Sequence, residues 1–379
     1  MASPFAISVI VSTFERPQHL RRCLLSLAAQ RDVTGEFEVI VADDGSRDET
    51  ADTVAAFRKT APFPLKFYTH PHDGFQLARC RNSGIRASVA PYILFTDGDC
   101  IFPPDHLRRH LDARRPGVAR AGDCIRIDQT MSEQIDDEAI RTSTFLDWID
   151  RCEHKSLRKT HIKSLGYQFL RHAHRPKLTG WNMAIWRDDL EHVNGFDEKF
   201  RGWGCEDDDL AARLRMSGVR IATALGYTHG YHLWHPPHST TPQRWHEGPN
   251  VAYFRRPLVL ARCLEGIRSR SLSQVSVRVT GPAPQESLVR ELRHVLREST
   301  QGVELELLLA ADSQQFTTTK ACRVLLASDN ADVPRSVERA AHATLHVGEK
   351  PTCAEILHGL QDLLEGRSSE PSDGKRVAA

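Results

Sequence analysis

The chain has 379 residues, of which 40% are hydrophobic and 26% charged, as in an ordinary globular protein with room for two domains. Its 50 Lys and Arg residues nearly balance its 49 Asp and Glu residues, and a net charge of +1 argues against a generally basic nucleic-acid binder. No apolar run approaches the ~20 residues that span a bilayer. The first apolar run, residues 7–11, has no basic region before it, which favours a first strand over a signal peptide. The nine cysteines are scattered without a Cys-x-x-Cys pair, which is typical of reduced thiols and predicts a cytoplasmic protein.

The first hundred residues predict a parallel sheet with helices on its faces. Four apolar runs have the length of buried strands: residues 7–11, 37–42, 65–68 and 92–95. Apolar residues at helical spacing separate these runs, at 20–27, 50–57 and 77–87. Because a β-α-β order favours parallel strands, the loops that follow the strands share one edge of the sheet. Open α/β folds bind their ligands at that edge.

Pairs of carboxylates follow two of the predicted strands. Asp97 and Asp99 flank Gly98, and a pair with this spacing can bring one oxygen to a divalent cation while the other meets a substrate hydroxyl. Gly98 lets the backbone approach a bulky charged group. An acidic surface turn is the alternative on spacing alone. Asp43 and Asp44 suit the same crevice and also fit a helix N-cap with turn residues.

Four segments in chain order resemble family 2 glycosyltransferases with a GT-A fold, and among them bacterial chondroitin- and hyaluronan-polymerase-type transferase domains. The segments are residues 9–16 (VIVSTFER), 39–46 (VIVADDGS), 74–82 (GFQLARCRN) and 96–99 (TDGD). The resemblance implies an α/β fold with a Rossmann-like, mixed but mostly parallel sheet flanked by helices, and a UDP-sugar donor. It implies that these residues bind the nucleotide or donor: Thr13, Phe14, Glu15, Arg16, Asp43, Asp44, Gly74, Arg81, Asp97 and Gly98. It also implies that Asp97-Gly98-Asp99 is the metal-binding DxD motif, with Asp99 as a metal ligand.

The position of Arg81 leaves two interpretations open on spacing alone. Its guanidinium could balance a phosphate of the donor, or it could form a structural ion pair that holds the acidic loops in place.

A second acidic motif, Gly202-Trp-Gly-Cys-Glu-Asp-Asp-Asp209, is similar to the galactosyltransferase-type Gly-Trp-Gly-Gly-Glu-Asp-Asp-Asp, with Cys205 in place of a glycine. The similarity implies that Asp207 is the general base, which takes the proton of the acceptor hydroxyl, and that Glu206 orients the acceptor. The acidic run also has an explanation without a catalytic role, because the N-terminus of a helix favours acidic residues. Small and aromatic residues here and in the strand-like segment 178–186 predict acceptor contacts: Trp181, Asn182, Trp203 and Gly204.

Four histidines follow a predicted strand over residues 219–224: His229, His232, His235 and His238. Such a cluster favours metal or phosphate binding over a purely structural role. In GT-A enzymes of this type, one histidine after the acidic helix completes the metal site. The polymerase pattern matches Tyr231-His232 and favours His232, whereas the distance from the acidic motif favours His235, so we predict His232 first and His235 second. Mixed oxygen and imidazole ligands suit Mn²⁺ better than Mg²⁺ or structural Zn²⁺.

The segment 141–177 is rich in Lys and Arg. It fits a solvated helical face, or a basic rim that binds an anionic glycan or a lipid-linked phosphate. A lipid-linked acceptor would bring the chain to the inner face of a membrane as a peripheral protein.

Three regions are predicted along the chain. Residues 1–265 form the GT-A catalytic domain. Residues 271–365 form a smaller C-terminal α/β domain of unknown role, with strands over 276–279, 303–309 and 323–326 and helices over 288–296, 337–341 and 356–364. Residues 366–379 are rich in Ser, Pro and charge, and we predict a disordered tail.

Together these features predict an inverting, metal-dependent glycosyltransferase that moves a sugar from a UDP-sugar to a hydroxyl of a glycan or lipid-linked glycan, with Mn²⁺ or Mg²⁺ as cofactor. The alternative is a non-catalytic module that binds a nucleotide sugar or glycan on the same shell. A nucleotidyltransferase would need a Gly-rich basic loop after the first strand, and residues 12–16 (STFER) are not such a loop. No feature of the sequence predicts the donor sugar, the linkage or the oligomeric state.

Overall fold

A computed structural model describes residues 3–149, 151–237, 241–282, 285–309, 315–317, 321–328 and 333–367. The chain forms two compact units, Met1–Pro249 and Asn250–Ala379. Residues 250–265, which the sequence analysis grouped with the catalytic domain, lie in the second unit. Of the predicted tail, all but Gly366 and Arg367 lies outside the described residues, as does His238. Among the described residues, no helix combines the length and the apolar character that crossing a membrane requires.

The strands of the first unit are β1 (Ile7–Thr13), β2 (Phe37–Asp43), β3 (Leu65–Thr69), β4 (Tyr92–Asp97), β5 (Cys100–Ile101), β6 (Val118–Ala121), β7 (Cys124–Arg126), β8 (Met183–Trp186), β9 (Arg220–Thr223) and β10 (Gly230–His232). Its helices are α1 (Pro17–Ala28), α2 (Thr50–Arg58), α3 (Leu77–Ala87), α4 (His106–Ala113), α5 (Gln129–Gln134), α6 (Asp137–Thr142), α7 (Arg151–Phe169), α8 (Arg187–His192) and α9 (Glu206–Met216). Short 3₁₀ helices cover Thr144–Trp148 and Trp245–Glu247.

The large sheet of this unit has the strand order β3-β2-β1-β4-β8-β6-β9. All neighbouring pairs are parallel except those of β8, which runs antiparallel to β4 and β6. The predicted α/β class with a mixed, mostly parallel sheet is confirmed. In the register of the sheet, Ser12 lies opposite Asp97 and Thr13 opposite Asp43, so the acidic turns after β2 and β4 flank the end of β1.

The central strands are buried on both faces because helices cover both sides of the sheet. Every residue of β1 and β2 is buried, and apart from Ser8 and Glu38 the residues 7–11 and 37–42 are apolar, which matches that environment. On one face, Leu20, Leu24 and Leu27 of α1 pack into the same apolar cluster as Val9 and Val39. Complete burial of each such leucine contributes roughly 1.5–3 kcal/mol to the stability of the fold. This packing holds α1 against the sheet and so fixes the position of the edge that carries the polar turns.

A small second sheet with the order β5-β10-β7 connects distant parts of the first unit. β10 runs antiparallel to β5 and parallel to β7, and His232 lies opposite Cys100 on one side and Arg126 on the other. The strands have two or three residues each, and the sequence analysis predicted neither β5 nor β7. This sheet brings the histidine segment to the end of β4.

The second unit is a separate α/β structure. Its helices are α10 (Val251–Phe254), α11 (Glu286–Val295), α12 (Arg335–Ala340) and α13 (Cys353–Glu365), with a 3₁₀ helix at Leu272–Gln274. Its strands are β11 (Ser276–Thr280), β12 (Arg297–Glu298), β13 (Leu305–Leu309), β14 (Cys322–Ala327) and β15 (Ala343–His346). They form a parallel sheet in the order β12-β11-β13-β14-β15. The three predicted strands and three predicted helices are confirmed, whereas β12 and β15 were missed because both carry polar, partly exposed residues.

Candidate active site

Asp99 and two histidines converge beside the end of β4. The backbone N–H of Leu233 donates to the carbonyl oxygen of Asp99 at 2.8 Å, which holds the histidine segment against the acidic turn. His232 Nε2 lies 3.4 Å from Asp99 Oδ1, and His235 Nε2 lies 3.0 Å from Asp99 Oδ2. One ligand atom from each residue falls within 4.8 Å of the others. The two histidines that the sequence analysis weighed against each other therefore both face Asp99.

This donor set has the chemistry of a metal site. Burial lowers the pKa of His232, which favours the neutral imidazole that binds cations. His235 Nδ1 lies 2.7 Å from the carbonyl oxygen of Pro236, and a neutral imidazole that donates its proton there offers the lone pair of Nε2 to a cation beside Asp99, whereas without a cation Nε2–H donates to Asp99. One carboxylate with two imidazoles fits a transition ion such as Mn²⁺. The residues present thus fit the divalent ion that the family resemblance implies.

Arg16 also reaches this carboxylate. Its Nη1 donates to Asp99 Oδ2 at 3.1 Å, and its side chain is 30% exposed. Burial by itself would raise the pKa of Asp99, but the hydrogen bond with His235 and the positive charges around the carboxylate hold that pKa well below its usual range. Asp99 is consequently ionised, as a metal ligand must be.

A second cluster surrounds Arg81 of α3, which is only 1% exposed. Its Nη1 donates to Asp207 Oδ1 at 2.8 Å and to Glu206 Oε1 at 3.3 Å. Its Nη2 donates to Asp97 Oδ1 at 3.4 Å. These contacts correspond to the ion-pair interpretation of Arg81, in which one guanidinium holds the acidic loops together. Its predicted contact with the nucleotide stays a prediction.

Gly180, which the sequence analysis did not assign to the site, supports this cluster. Its N–H donates to Asp207 Oδ2 at 2.8 Å, so both oxygens of that carboxylate are held. A Cβ atom at position 180 would lie 1.6 Å from Nη2 of Arg81, and only glycine leaves room for the guanidinium. The sign of this role in the sequence was the glycine itself, which lies between Thr179 and Trp181 shortly before β8.

Burial shifts the acid-base properties of all three carboxylates. It raises the pKa of Glu206 to about 7, with a further contribution from the charge of Asp207. It raises the pKa of Asp97 to about 6, although Arg81 opposes the shift. The pKa of Asp207 is also raised, by burial first, against the charge of Arg81. A carboxylate with a raised pKa is a stronger base at neutral pH, which suits the role predicted for Asp207.

The loop before α9 has an unusual backbone. Gly202, Gly204 and Cys205 have φ values of +83°, +92° and +74°, in the left-handed region that favours glycine. Glu206 and Asp207 then occupy the first turn of α9, where the helix dipole favours negative charge. Trp203 is 39% exposed between the two glycines. Cys205, the one departure from the galactosyltransferase-type motif, thus lies where a glycine would be unstrained.

The loops after β1 and β2 contact each other at the predicted nucleoside site. Asp43 accepts hydrogen bonds from the N–H of Ser46 at 2.9 Å and from Thr69 Oγ1 at 2.6 Å, so its carboxylate also shapes the turn. The N–H of Glu15 donates to Ser46 Oγ at 2.7 Å. Asp44 accepts from the N–H of Gln76 at 2.9 Å.

The remaining predicted donor residues lie along the same edge. Phe14 stacks on His72, with ring centroids 4.5 Å apart and planes inclined by 16°. The N–H of Gly98 donates to the carbonyl oxygen of Ser12 at 2.7 Å, and a Cβ at position 98 would lie 3.1 Å from Thr13 Oγ1. Gly74 has a φ of +71° with open space where a Cβ would point. The turns after β1, β2 and β4 thus meet as predicted, and their binding of a nucleotide stays a prediction.

The predicted acceptor residues differ in accessibility. Trp181 packs edge-on against His232 at a centroid distance of 5.4 Å, with Arg126 above its ring. Asn182 is completely buried, and its amide contacts His110 Nε2 at 3.2 Å and donates to the carbonyl oxygen of Asp123 at 3.2 Å. In this structure Asn182 has no surface for the direct acceptor contact that the sequence analysis expected, because its amide is committed to these partners.

Comparison with known families identifies the class of domain. The family model described as glycosyl transferase family 2 matches residues 8–184, and the model described as the N-terminal domain of galactosyltransferase matches residues 160–236. The chain therefore contains a family 2 glycosyltransferase domain together with a galactosyltransferase-like domain. This finding confirms the family resemblance predicted from the sequence.

Individual relatives match over the same part of the chain. Validoxylamine A glucosyltransferase of Streptomyces hygroscopicus subsp. jinggangensis (strain 5008) is 30% identical over 232 residues, 58% of this chain and 53% of that protein. Chondroitin synthase of Escherichia coli is 26% identical over 233 residues, 58% of this chain and 34% of that protein. The chain thus spans about half of the first relative and about a third of the second. The solved structure of S. aureus TarS 1-349 in complex with UDP-GlcNAc is similar with a TM-score of 0.46 and 18% identity, covering 66% of this chain and 65% of that one.

Proposed function

We propose that the chain is an inverting, metal-dependent glycosyltransferase that moves a sugar from a UDP-sugar to a hydroxyl of a glycan or lipid-linked glycan. The observation that supports this most strongly is the proximity of two differently built carboxylate groups. Asp99 faces two imidazoles, while Asp97, only two residues away, is bridged by Arg81 to Asp207. This arrangement supports a site in which a metal-ligand set would lie beside a basic carboxylate.

On the donor side, the turns after β1 and β2 would bind the nucleoside, with the exposed residue Glu15 and the ring of Phe14 at its edge. A divalent ion held by Asp99, His232 and His235 would neutralise the charge that develops on the leaving diphosphate. Arg16, which pairs with Asp99 and remains partly exposed, lies where it can donate to the same diphosphate.

On the acceptor side, Asp207 would take the proton of the attacking hydroxyl. The hydroxyl oxygen then bonds to the anomeric carbon from the side opposite the departing diphosphate, which inverts the configuration. Arg81 and Gly180 hold one lone pair on each oxygen of Asp207, and each oxygen keeps a second lone pair for the acceptor. Glu206 would orient the acceptor, and Trp203 would stack on its sugar ring.

The relatives support transfer of a sugar, since one is named as a validoxylamine A glucosyltransferase, and the name of the other, chondroitin synthase, supports a glycan acceptor. A non-catalytic nucleotide-sugar or glycan-binding module is the second candidate, because a buried ion-pair cluster is also compatible with a purely structural role. Conversion of Asp207 to an uncharged residue distinguishes the two.

The test is release of UDP from a panel of UDP-sugars with Mn²⁺ and glycan acceptors. Asp207→Asn should abolish transfer and retain binding of the UDP-sugar, measured by calorimetry. Asp208→Asn is the matched control, because Asp208 faces Lys177 instead of Arg81, and at neutral pH it should retain transfer. A wild-type chain that binds donor but releases no UDP with any acceptor would favour the binding module.

A further inference from the structure

Helix α7 carries apolar side chains on its outward face. Ile162, Leu165 and Phe169 recur at helical spacing and are 59%, 49% and 87% exposed, and Leu170, which follows the helix, is 73% exposed. Single exposed apolar residues are common, but a contiguous set on one face indicates an interaction surface. We call these four residues the α7 ridge.

Cationic side chains surround the ridge. Five exposed Lys and Arg residues lie on or just after the helix: Lys155, Arg158, Lys159, Lys163 and Arg171. Between residues 153 and 171 the sequence holds a single acidic residue, Glu153. None of the five cations has a carboxylate partner in the part of the chain that the structure describes. Their charge is therefore available to an external anion.

The face of α7 that carries residues 154, 157 and 161 is fixed to the protein. Leu157 packs against the apolar cluster that contains Phe145 and Tyr231. The rings of His154 and His229 lie 5.5 Å apart, and His161 fills the space where a Cβ at Gly226 would point. The ridge is thus an exposed side of an anchored helix.

We propose that the α7 ridge docks on an anionic membrane surface. Its apolar side chains would enter the boundary between headgroups and acyl chains, and the flanking cations would bind lipid phosphates. Charge selects this partner over a second copy of the chain, because pairing two ridges would bring two sets of five cations together. Apolar exposure selects it over a soluble anionic glycan, which would engage the cations and leave Phe169 and Leu170 in water.

Docking would also position the candidate active site. The inner face of α7 contacts His229 and packs on the apolar cluster that contains Tyr231, and the next residue along the chain is His232, which faces Asp99. A membrane-bound α7 would hold this site close to the lipid surface, where a lipid-linked acceptor is presented. This consequence rests on the proposed function, whereas docking itself does not, and it is tested without donor, metal or acceptor.

The experiment is co-sedimentation of the full chain with vesicles. Binding is expected to vesicles of phosphatidylcholine and phosphatidylglycerol in equal parts, to weaken with added NaCl, and to be absent with phosphatidylcholine alone. Phe169→Ser with Leu170→Ser should lower the partition coefficient roughly tenfold for each side chain, since each buries apolar area. Lys159→Glu with Lys163→Glu should lower it about fivefold or more for each residue, which corresponds to about 1 kcal/mol per cation.

Matched control variants make the same kinds of substitution at exposed positions outside the α7 ridge. Tyr68→Ser with Val89→Ser removes apolar side chains that are 45% and 44% exposed, and Lys59→Glu with Lys350→Glu makes the same change of charge. Both controls should bind vesicles like the wild type, and circular dichroism should show all variants folded.

Several outcomes would overturn the proposal. These are absence of wild-type binding to anionic vesicles, equal loss in the control variants, and self-association that the ridge substitutions abolish without any vesicle binding. Binding to a soluble anionic polysaccharide such as heparin, unchanged by the Phe169 and Leu170 substitutions and without vesicle binding, would assign the surface to glycans instead.

Discussion

Arg81 Nη1 lies 2.8 Å from Asp207 Oδ1, although the two residues are 126 positions apart in the chain. The same guanidinium contacts Glu206 and Asp97. It joins α3 to the first turn of α9 and to the end of β4 inside the protein, where few other charges offset the three carboxylates. One guanidinium therefore contacts both the proposed base and the Asp97–Asp99 turn.

Replacing this guanidinium should destabilise the first unit. Arg81→Met leaves buried carboxylates without their cation, and we expect the free energy of unfolding to fall by about 3–5 kcal/mol. All six tryptophans lie between residues 148 and 245, so urea unfolding followed by tryptophan fluorescence reports on this unit. Arg86→Met, in the same helix but with a 41% exposed side chain, should change stability by less than about 0.5 kcal/mol.

A double variant checks the cause of this loss. Adding Glu206→Gln to Arg81→Met removes one uncompensated charge and should recover part of the stability. Equal instability of the single and double variants would show that packing, and not charge, accounts for the effect.

The backbone conformation at position 205 favours glycine over a residue with a Cβ. Cys205 has a φ of +74°, a conformation that costs a residue with a Cβ about 1–2 kcal/mol, partly offset by the greater freedom of glycine in the unfolded chain. Because Cys205 is buried, both Cys205→Gly and Cys205→Ala lose its thiol, and we expect the glycine variant to exceed the alanine variant in free energy of unfolding by about 0.5–1 kcal/mol in the same urea assay. Cys205→Ala retains the Cβ and with it the conformational cost. A glycine variant less stable than the alanine variant would contradict a strained loop.

Binding of Mn²⁺ should depend on both histidines that face Asp99. Calorimetric titration without nucleotide should show affinity lowered at least about tenfold by His232→Ala and by His235→Ala, and binding lost in Asp99→Asn. His246→Ala, at an exposed histidine of the same unit, is the control and should bind like the wild type. If only one histidine variant loses affinity, the other histidine has a different role.

The pH dependence of transfer should follow Asp207. Because burial raises the pKa of Asp207 and the base must be ionised, kcat/KM for UDP release should decline on acidification at a higher pH than for an ordinary aspartate. The charge of Asp208 contributes to the raised pKa. Asp208→Asn removes that charge, favours the ionised base and should move the acid limb of the pH–rate profile to lower pH. Asp112→Asn, far more exposed, should leave the limb in place.

A contrary result would identify a different group. The pKa of Glu206 is raised to about 7, so its ionisation could also shape the profile. An acid limb that disappears in Glu206→Gln and is unmoved in Asp208→Asn would assign the limiting ionisation to Glu206.

The sequence was sufficient to predict the strands and helices that have a strong local pattern. β1, β2 and β4 are mostly apolar because both faces of their sheet are covered, and the polar turns that end them mark the ligand edge. The acidic run at residues 206–209 opens a helix as predicted, since helix N-termini favour carboxylates. These local signals were enough to place the DxD turn and the predicted base on ordered elements.

The rest of the fold and of the candidate site could not be predicted, because it depends on contacts between segments that are distant in the sequence. The two- and three-residue strands β5, β7 and β10 have no periodicity of their own, yet they bring both histidines to Asp99. Segment 178–186 was predicted as strand-like throughout, but β8 begins only at Met183, because Gly180 bends around Arg81 and Asp207. Asn182 looked like a ligand-facing residue because sequence alone did not show its burial against His110.

The strand that ends at His232 has a consequence for engineering. Asp99 lies in the region matched by the family 2 model, whereas His232 and His235 lie in the region matched by the galactosyltransferase model. A chimaera that joins the first region of one such protein to the second region of another would assemble the proposed cation ligands from two parents. The two regions therefore cannot be exchanged independently. An exchange should succeed only when the paired strands β5, β7 and β10 come from the same parent.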